Sequence, residues 1–377
     1  MKELKKFRRD LHQIPELSLQ EQKTSSYLKQ ALEDMGYQPF SLLETDVLVF
    51  IDASSEETIA FRSDIDALPV NEETGLDFKS KHPGNMHACG HDGHMSMLLG
   101  LAKYLSSKKS QLKKNILLIF QPAEESIGGA KLLCDTGFLD KYNVKAIFGI
   151  HLYPEIDEGI LASKPNEFMA MASEVTITVN GKSAHGAMPH LGVDANLILS
   201  KLLIDFQTIQ TRQLSPLEYS IITFGKIGGG TVRNAVSDYA FMEGTIRAFS
   251  VDTFQTIKSS IRQLCKQYEI SYDCQIDVAI TEGYLPVIND PILYKRWQNA
   301  TSSFETYTFE KPLMIAEDFS FYQDNVPGVF FYVGTKNTSL GYTHSLHHPK
   351  FNFDETVLET GLKAYQAVLK EMEVLNE

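Results

Sequence analysis

The sequence predicts an α/β protein, with a split α/β domain carrying a smaller inserted α+β domain of ferredoxin-like pattern. Three observations predict it. Helical and strand periodicities alternate through the first half, where two runs, ILLIF and AIFGI, are apolar throughout, as strands covered on both faces are. Between residues 173 and 283 the rhythm changes to strand–helix–strand–strand–helix–strand. After residue 284 a helix, a strand and a closing helix resume the first pattern. A length of 377 residues exceeds one typical domain, and the expected division is 1–172 with 284–377 for the split domain and 173–283 for the insert.

In order, Lys2–Gln13 reads as an amphipathic helix stopped near Pro15, and Glu21–Met35 as a second, with Tyr27, Leu28, Ala31, Leu32 and Met35 on one face and Gly36 as its stop. Strand-length runs follow at Val47–Asp52, Thr58–Arg62, Ile116–Gln121 and Val144–His151, with helical periodicity from Met95 to Leu105. The insert reads as strand EVTITVN, helix Val193–Thr211, strand YSIITFGKI, strand Asp238–Phe249, helix Val251–Tyr268 and strand Ser271–Ile280. The return is a helix near Pro291–Ser302, a strand GVFFYVG and a closing helix from about Asp354 to Val374.

A hydrophobic fraction of 43% with 22% charged residues suits a soluble globular chain with a sizeable core. The balance of 35 Lys and Arg against 48 Asp and Glu gives −13. Such acidity disfavours nucleic acid or an anionic membrane as partner, but does not disfavour a small anionic substrate, which feels mainly its pocket. The charged N-terminus, MKELKKFRRDLHQIPE, has no apolar core of signal-peptide length, and no apolar run approaches a bilayer span. A cytoplasmic location is expected. The four cysteines, Cys89, Cys134, Cys265 and Cys274, contain no Cys-x-x-Cys pair. In a reducing compartment each is a buried thiol or a metal ligand.

Four polar clusters stand at strand ends or in loops. They are Arg62-Ser-Asp64-Ile-Asp66, Met86-His87-Ala-Cys89-Gly-His91-Asp92-Gly-His94, Gln121-Pro-Ala-Glu124-Glu125, and His151 at the end of AIFGI. Ligands of open α/β sheets bind outside the carboxyl ends of the strands, so these clusters can converge. Imidazole, thiolate and carboxylate together suit a divalent transition metal, and a cysteine argues against calcium or magnesium. In an extended loop Cys89 and His91 point to one side. Glu124 and Glu125, on a strand-like backbone, point apart, so one can ligate while the other serves as base; other divisions of labour remain open. Each feature alone has a plainer reading. A lone histidine such as His12 or His82 is a surface or satisfied core side chain, Asp-x-Asp is common in turns, and Glu-Glu is usually a solvated face. Four clusters, each at a strand end, outweigh those readings together.

In order along the chain, RRDLHQIPELSLQE, FRSDIDALPV, NMHACGHDGH, FQPAEES, FGIHLYP, GKSAHGAMPH, GGGTVRNAV, EGTIRAF, AEDFSFY and SLHHPKF resemble the M20 metallopeptidase family. The branch most similar holds aminoacylases and amidohydrolases: acetyldiaminopimelate deacetylases, hippurate hydrolases and auxin-conjugate hydrolases. The resemblance implies a zinc-peptidase-like catalytic domain, an inserted dimerisation and lid domain, and two divalent metal ions (zinc, manganese, cobalt or nickel). Cys89, His91, Glu125, His151 and His347 match the metal-ligand positions, with His347 preferred to His348 because the motif sets its ligand two residues before the proline. Glu124 matches the general base. Asp66 matches an acid that orients a metal-binding imidazole, and Asp64 stands where other branches carry a histidine, which leaves their relative importance open. His185 matches a histidine that reaches a catalytic site across a homodimer. Asn234 is implied as a substrate or oxyanion contact, and Arg233 and Arg247 as candidates for the substrate carboxylate, although a surface salt bridge is the plainer role of either arginine.

The implied reaction is hydrolysis of the amide of a small N-acylated amino acid. HPGNMHACGHD and EGYLPVIND look most like the N-acetyl-L,L-diaminopimelate deacetylases, with hippurate or a broader set of N-acyl amino acids as alternatives. Two readings compete. A dipeptidase or aminopeptidase of the wider family would show His-x-Asp instead of Asp64-x-Asp66. A non-catalytic binding protein would have lost catalytic positions, whereas all are occupied by competent residues, Glu124 included.

Overall fold

The computed structural model describes residues 1–375 and divides into two compact units. The first comprises Met1–Phe168, Val287–Pro312 and Asp318–Glu377; the second comprises Met169–Pro286 and Leu313–Glu317.

The first unit is built on a seven-stranded mixed sheet. Helices α1 (Lys2–His12) and α2 (Gln22–Asp34) precede strands β1 (Val47–Ile51) and β2 (Thr58–Asp64). Helix α3 (His91–Ser106), strand β3 (Asn115–Gln121) and strand β4 (Val144–Asp157) follow. Strand β2 lies between β3 and β4, parallel to both, and β4 pairs in parallel with the returning strand Gly328–Lys336. Every residue of β2 and β3 is buried, because helices cover both faces of the sheet centre. The core joins Leu11 of α1, Leu28 of α2, Phe61 of β2, Leu98 and Leu101 of α3, Phe148 of β4 and Tyr365 of the closing helix Val357–Glu371.

Two boundaries differ from expectation in ways that shape the site. Helix α3 begins at His91, four residues before its apolar periodicity starts, because the left-handed Gly90 (φ 86°) turns the chain straight into it. Cys89 and His91 are therefore not on one side of an extended loop. Strand β4 runs on to Asp157 through Pro154; its pairing with β2 ends at Gly149, so beyond that point the proline's missing N–H costs no bond to β2.

The second unit is a four-stranded antiparallel sheet in the order Gln275–Ile280, Met171–Asn180, Tyr239–Ala248, Ser220–Gly229. In chain order that is 4-1-3-2, the ferredoxin-like arrangement. Strand Met171–Asn180 alternates buried and less buried residues, since only one face is packed. Helices Ala195–Thr208 and Val251–Tyr272 close the core through Leu199, Leu202, Phe206, Phe254, Ile257 and Ile261, among others. Asp194 and Ser250 cap their N-termini, each worth about 1 kcal/mol. The second helix continues to Tyr272 and ends at left-handed Asp273, so Ser271 is helical where a strand was expected.

Candidate metal centre and active site

The carboxyl ends of β2, β3 and β4 and the first turn of α3 bring most of the sequence candidates together. One group of potential ligand atoms comes from Asp64, His91, His94 and His151, a second from Cys89, Glu125 and His347, and a third from His91, Glu124 and Glu125; within each, the atoms lie within 4.8 Å of one another. Cys89 Sγ is 3.4 Å from His151 Nε2, which ties the first two groups into one centre. Glu125 Oε1 is 3.8 Å from His91 Nε2 and 3.4 Å from His347 Nε2. Two ligands of one tetrahedral ion, with bonds of about 2.0–2.3 Å, stand about 3.3–3.8 Å apart, so these spacings fit a cation between them.

Each imidazole is set by what its other nitrogen does. His151 Nδ1 donates to the carbonyl of Leu152 at 2.6 Å, and His91 Nδ1 donates to the carbonyl of Asp66 at 2.9 Å, which turns both Nε2 atoms toward the centre. His91 Nε2 and Glu125 Oε1 are buried without a hydrogen-bond partner among the described residues. Orphaned, inward-facing donor atoms of this chemistry are what a bound metal would satisfy. Burial alone lowers the basicity of His91, but Asp64, Asp66 and Glu125 push its pKa up to about 10, so the pocket attracts positive charge. Burial, then Glu125 and Glu124, holds the Cys89 thiol well above its usual range; a cation would reverse that.

His347 is presented differently. It has φ 66°, a left-handed conformation uncommon for a side-chain-bearing residue, and its N–H donates to Ala88 O at 2.8 Å, next to Cys89. Its side chain is about half exposed, at 54%.

Glu124 and Glu125 do not lie on strand-like backbone. The strand stops at Gln121, Ala123 is left-handed (φ 57°), and residues 124–127 form a turn, so both carboxylates come within reach of His91. Gly129 is required at the return, because a Cβ there would stand 1.8 Å from Pro122 O.

Asp66 holds backbone and side chain together. Its Oδ2 accepts from Ser18 Oγ at 2.7 Å and from the N–H of Glu125 at 3.0 Å, and its Oδ1 is 3.4 Å from His91 Nδ1. Asp64 is occupied on both oxygens, at 2.6 Å by His94 Nδ1 and at 2.9 Å by Arg62 Nη1. Burial raises its pKa, but His91, His94 and Arg62 outweigh that and hold it well below the carboxylate range.

Sequence reasoning passed over three residues here. His94 belongs to the His/Cys cluster but was given no role. Its Nδ1 donates to Asp64 and its Nε2 accepts the N–H of Leu152 at 2.9 Å, so both nitrogens are used and it braces the backbone beside His151. Arg62, wholly buried, bonds Gln121 at 2.8 Å, Asp64 at 2.9 Å and Asp318 at 2.7 Å. Asp318, in AEDFSFY, also accepts from Gln121 Nε2 at 2.7 Å and from the N–H of Ala130 at 2.9 Å. The i, i+3 spacing of His91 and His94 on a helix was the available signal for His94; no local signal marks Asp318, which meets Arg62 across 256 residues. His12 is a satisfied core histidine, bonded to Asp92 at 2.9 Å and Glu72 at 3.2 Å.

The candidates in the second unit form a separate group. His185, exposed, pairs with Ala235 in a two-stranded ladder, and the N–H of Gly186 donates to Asn234 O at 2.7 Å. Arg233 and Asn234 are exposed beside it. Arg247 sits at the far end of strand Tyr239–Ala248, its Nη1 2.6 Å from Thr245 Oγ1. Eight residues of strand, about 26 Å, separate it from Tyr239, so within this unit it is not grouped with His185 and Asn234.

A mixed α/β sheet with Cys, His and Glu donors gathered at its strand ends and a further buried carboxylate, Glu124, beside them defines a metal-dependent hydrolase. Residues 60–371 match the profile of peptidase family M20/M25/M40, and the chain belongs to that family; it is a metal-dependent amidohydrolase. It is 37% identical over 356 residues, 93% of this chain and 94% of the relative, to the N-acetyldiaminopimelate deacetylase of Listeria monocytogenes serotype 4a. It is 37% identical over 376 residues to the N-acetyldiaminopimelate deacetylase of Leuconostoc citreum, covering 97% and 95%. Among solved structures it is similar to a putative aminohydrolase from methicillin-resistant Staphylococcus aureus (TM-score 0.93, 31% identity, 99% of this chain and 96% of that one). It is also similar to the Bacillus subtilis YXEP protein, described as a dinuclear metal binding peptidase from the M20 family (TM-score 0.84, 31% identity, 98% and 97%). No helix among the described residues is long and apolar enough to cross a membrane.

Proposed function

We propose that this amidohydrolase cleaves N-acetyl-L,L-diaminopimelate to acetate and L,L-diaminopimelate, a step of lysine biosynthesis. The observation that carries the substrate is the 37% identity, over more than nine-tenths of both chains, to the Listeria deacetylase. The ligands are Cys89, His91, Glu125, His151 and His347, for two divalent ions drawn from zinc, manganese, cobalt and nickel. When bound, such ions supply Lewis acidity toward water and the acyl oxygen.

The protein's own groups do the rest. Glu124 removes a proton from the water whose oxygen adds to the acyl carbon, and delivers it to the amide nitrogen as the C–N bond breaks. Its buried position at the start of the turn beside His91 supports that role. Asp66 and Asp64 are orienting groups: Asp66 fixes the Glu125 backbone, and Asp64 fixes His94. His185 of a second copy donates to the developing oxyanion, Asn234 contacts the substrate, and Arg233 and Arg247 are the candidates for its carboxylate. A homodimer through the inserted unit is supported by Leu197 and Ile204, seven apart on one helix and 51% and 68% exposed, and by the free edge of strand Ser220–Gly229.

Amine release from N-acetyl-L,L-diaminopimelate, hippurate, N-acetyl-methionine and an unblocked dipeptide tests the reading, using metal-free enzyme and enzyme given each ion. Metal-dependent cleavage of the first, far above the others, is expected. Preference for hippurate or N-acetyl-methionine would keep the chemistry and overturn the substrate.

A further inference from the structure

We propose that Glu21 is a positioning residue whose buried carboxylate holds the left-handed Ala123 turn and thereby aims Glu124. The proposal rests on the reading of Glu124 as general base. Glu21 is fully buried and follows the loop that enters α2. Although it occupies the N-cap position of that helix, its side chain accepts no helix N–H. Glu16 does that work instead, its Oε2 taking the N–H of Lys23 at 2.8 Å and of Thr24 at 2.9 Å. Glu21 is thus left to reach across 102 residues, where Oε1 accepts the N–H of Ala123 at 3.0 Å. Its Oε2 accepts from Thr45 Oγ1 at 2.8 Å.

The turn it meets needs such a partner. Ala123 is fully buried with φ 57°, a region that a residue with a Cβ enters only under constraint. Its N–H has neither a sheet nor a helix to bond, and a buried N–H without an acceptor is costly. With Glu21 in place the turn is clamped at three points. Ala123 N–H meets Glu21, Ala123 O accepts from Gly129 N–H at 3.0 Å, and Glu125 N–H donates to Asp66 at 3.0 Å. Glu124 is the residue between the first and the last of these bonds.

Glu21 is an expensive choice if filling space were its only task. It makes no ion pair among the described residues, and burial raises its pKa. An apolar side chain would fill the volume without that penalty. A carboxylate is explained if its oxygen has a geometric duty at the base.

The test is Glu21→Asp beside Glu21→Gln, each purified with metal. Aspartate keeps the charge but withdraws the oxygen from Ala123; kcat should fall at least about tenfold, with KM and metal content per chain unchanged, since displacing a catalytic group by a fraction of an ångström costs rate more than binding. Glutamine keeps an oxygen for Ala123, and Thr45 can rotate to accept from its amide, so kcat should stay within about threefold of wild type. Wild-type kcat in Glu21→Asp would overturn the proposal, as would a loss that merely follows lost metal or a lowered melting temperature. Glu124→Ala, run alongside, separates the two claims. If it is active, the assignment of the base fails; if it is inactive while Glu21→Asp is unimpaired, only the role of Glu21 fails.

Discussion

Apart from half-exposed His347 and half-buried Arg247, the candidate residues of the two units are held in opposite ways. In the split unit Asp64, Asp66, Cys89, His91, Glu124 and His151 are all less than a tenth exposed, and most are fixed by hydrogen bonds from elsewhere in the same unit. In the inserted unit His185, Arg233 and Asn234 are exposed and lie on a short backbone ladder. The first set is preorganised by its own fold. On the proposed reading, the second gains its chemical surroundings with substrate and another chain. Substitutions in the first set should therefore disturb metal, stability and rate in distinguishable ways, and substitutions in the second should disturb rate or substrate binding without loss of metal or stability.

The largest effect belongs to Glu124. Glu124→Ala should lower kcat by about 10³-fold or more, because one carboxylate is asked to serve as base and then as acid. Metal content by elemental analysis should be unchanged, since the ligand set stays complete. Turnover near wild type would remove the proposed chemistry altogether.

Next comes Asp64→Ala, which strips a carboxylate from the wholly buried Arg62 and leaves His94 Nδ1 without the acceptor it uses here. Removing one partner of a buried ion pair costs about 3–5 kcal/mol, and urea unfolding of the metal-free protein reads that loss without reference to activity. A change below about 1 kcal/mol would mean that Arg62 and Asp318 are balanced without Asp64. His185→Ala is the counterpart in the other unit. A lost oxyanion donor costs about 10²-fold in kcat, while unfolding and metal content should match wild type because the side chain is exposed. If His185→Ala destabilises the protein as Asp64→Ala does, the contrast between the units is wrong.

The same contrast explains what could be read from the sequence. Most element positions were legible, because the buried strands β2 and β3 are apolar runs of strand length and the inserted unit alternates as a one-face sheet does. The errors fall where one backbone feature overrides side-chain pattern. Gly90 starts α3 early, left-handed Ala123 converts a presumed strand end into a turn, and Asp273 carries a helix past its predicted end. The donors of the centre were legible as types, because Cys, His and Glu at strand ends have few other joint purposes. Their supports were not. Glu21 to Ala123 and Arg62 to Asp318 are contacts across 102 and 256 residues, and neither partner has a local sequence neighbour that suggests the other.

The smallest effect probes whether buried charge, and not merely burial, sets the split unit apart. His12 lies between two carboxylates, with Nδ1 on Asp92 at 2.9 Å and Nε2 on Glu72 at 3.2 Å. Burial raises the pKa of Glu72, but its bonds to His12, Thr74 and the N–H of Ser80 bring it down to about 2. A depressed carboxylate stabilises fully above its unfolded value, near pH 4.5, and loses that contribution as pH falls toward 2. Burial lowers the pKa of His12, but Asp92 and Glu72 more than offset it, so His12 loses its share only on the alkaline side and does not confuse an acid titration. Glu72→Gln should therefore be less stable than wild type by about 1–3 kcal/mol at pH 6, and the two unfolding curves should converge between pH 4.5 and pH 2. A gap that persists unchanged at pH 2 would assign the loss to packing. The charge of Glu72 would then contribute nothing to the difference between the two units.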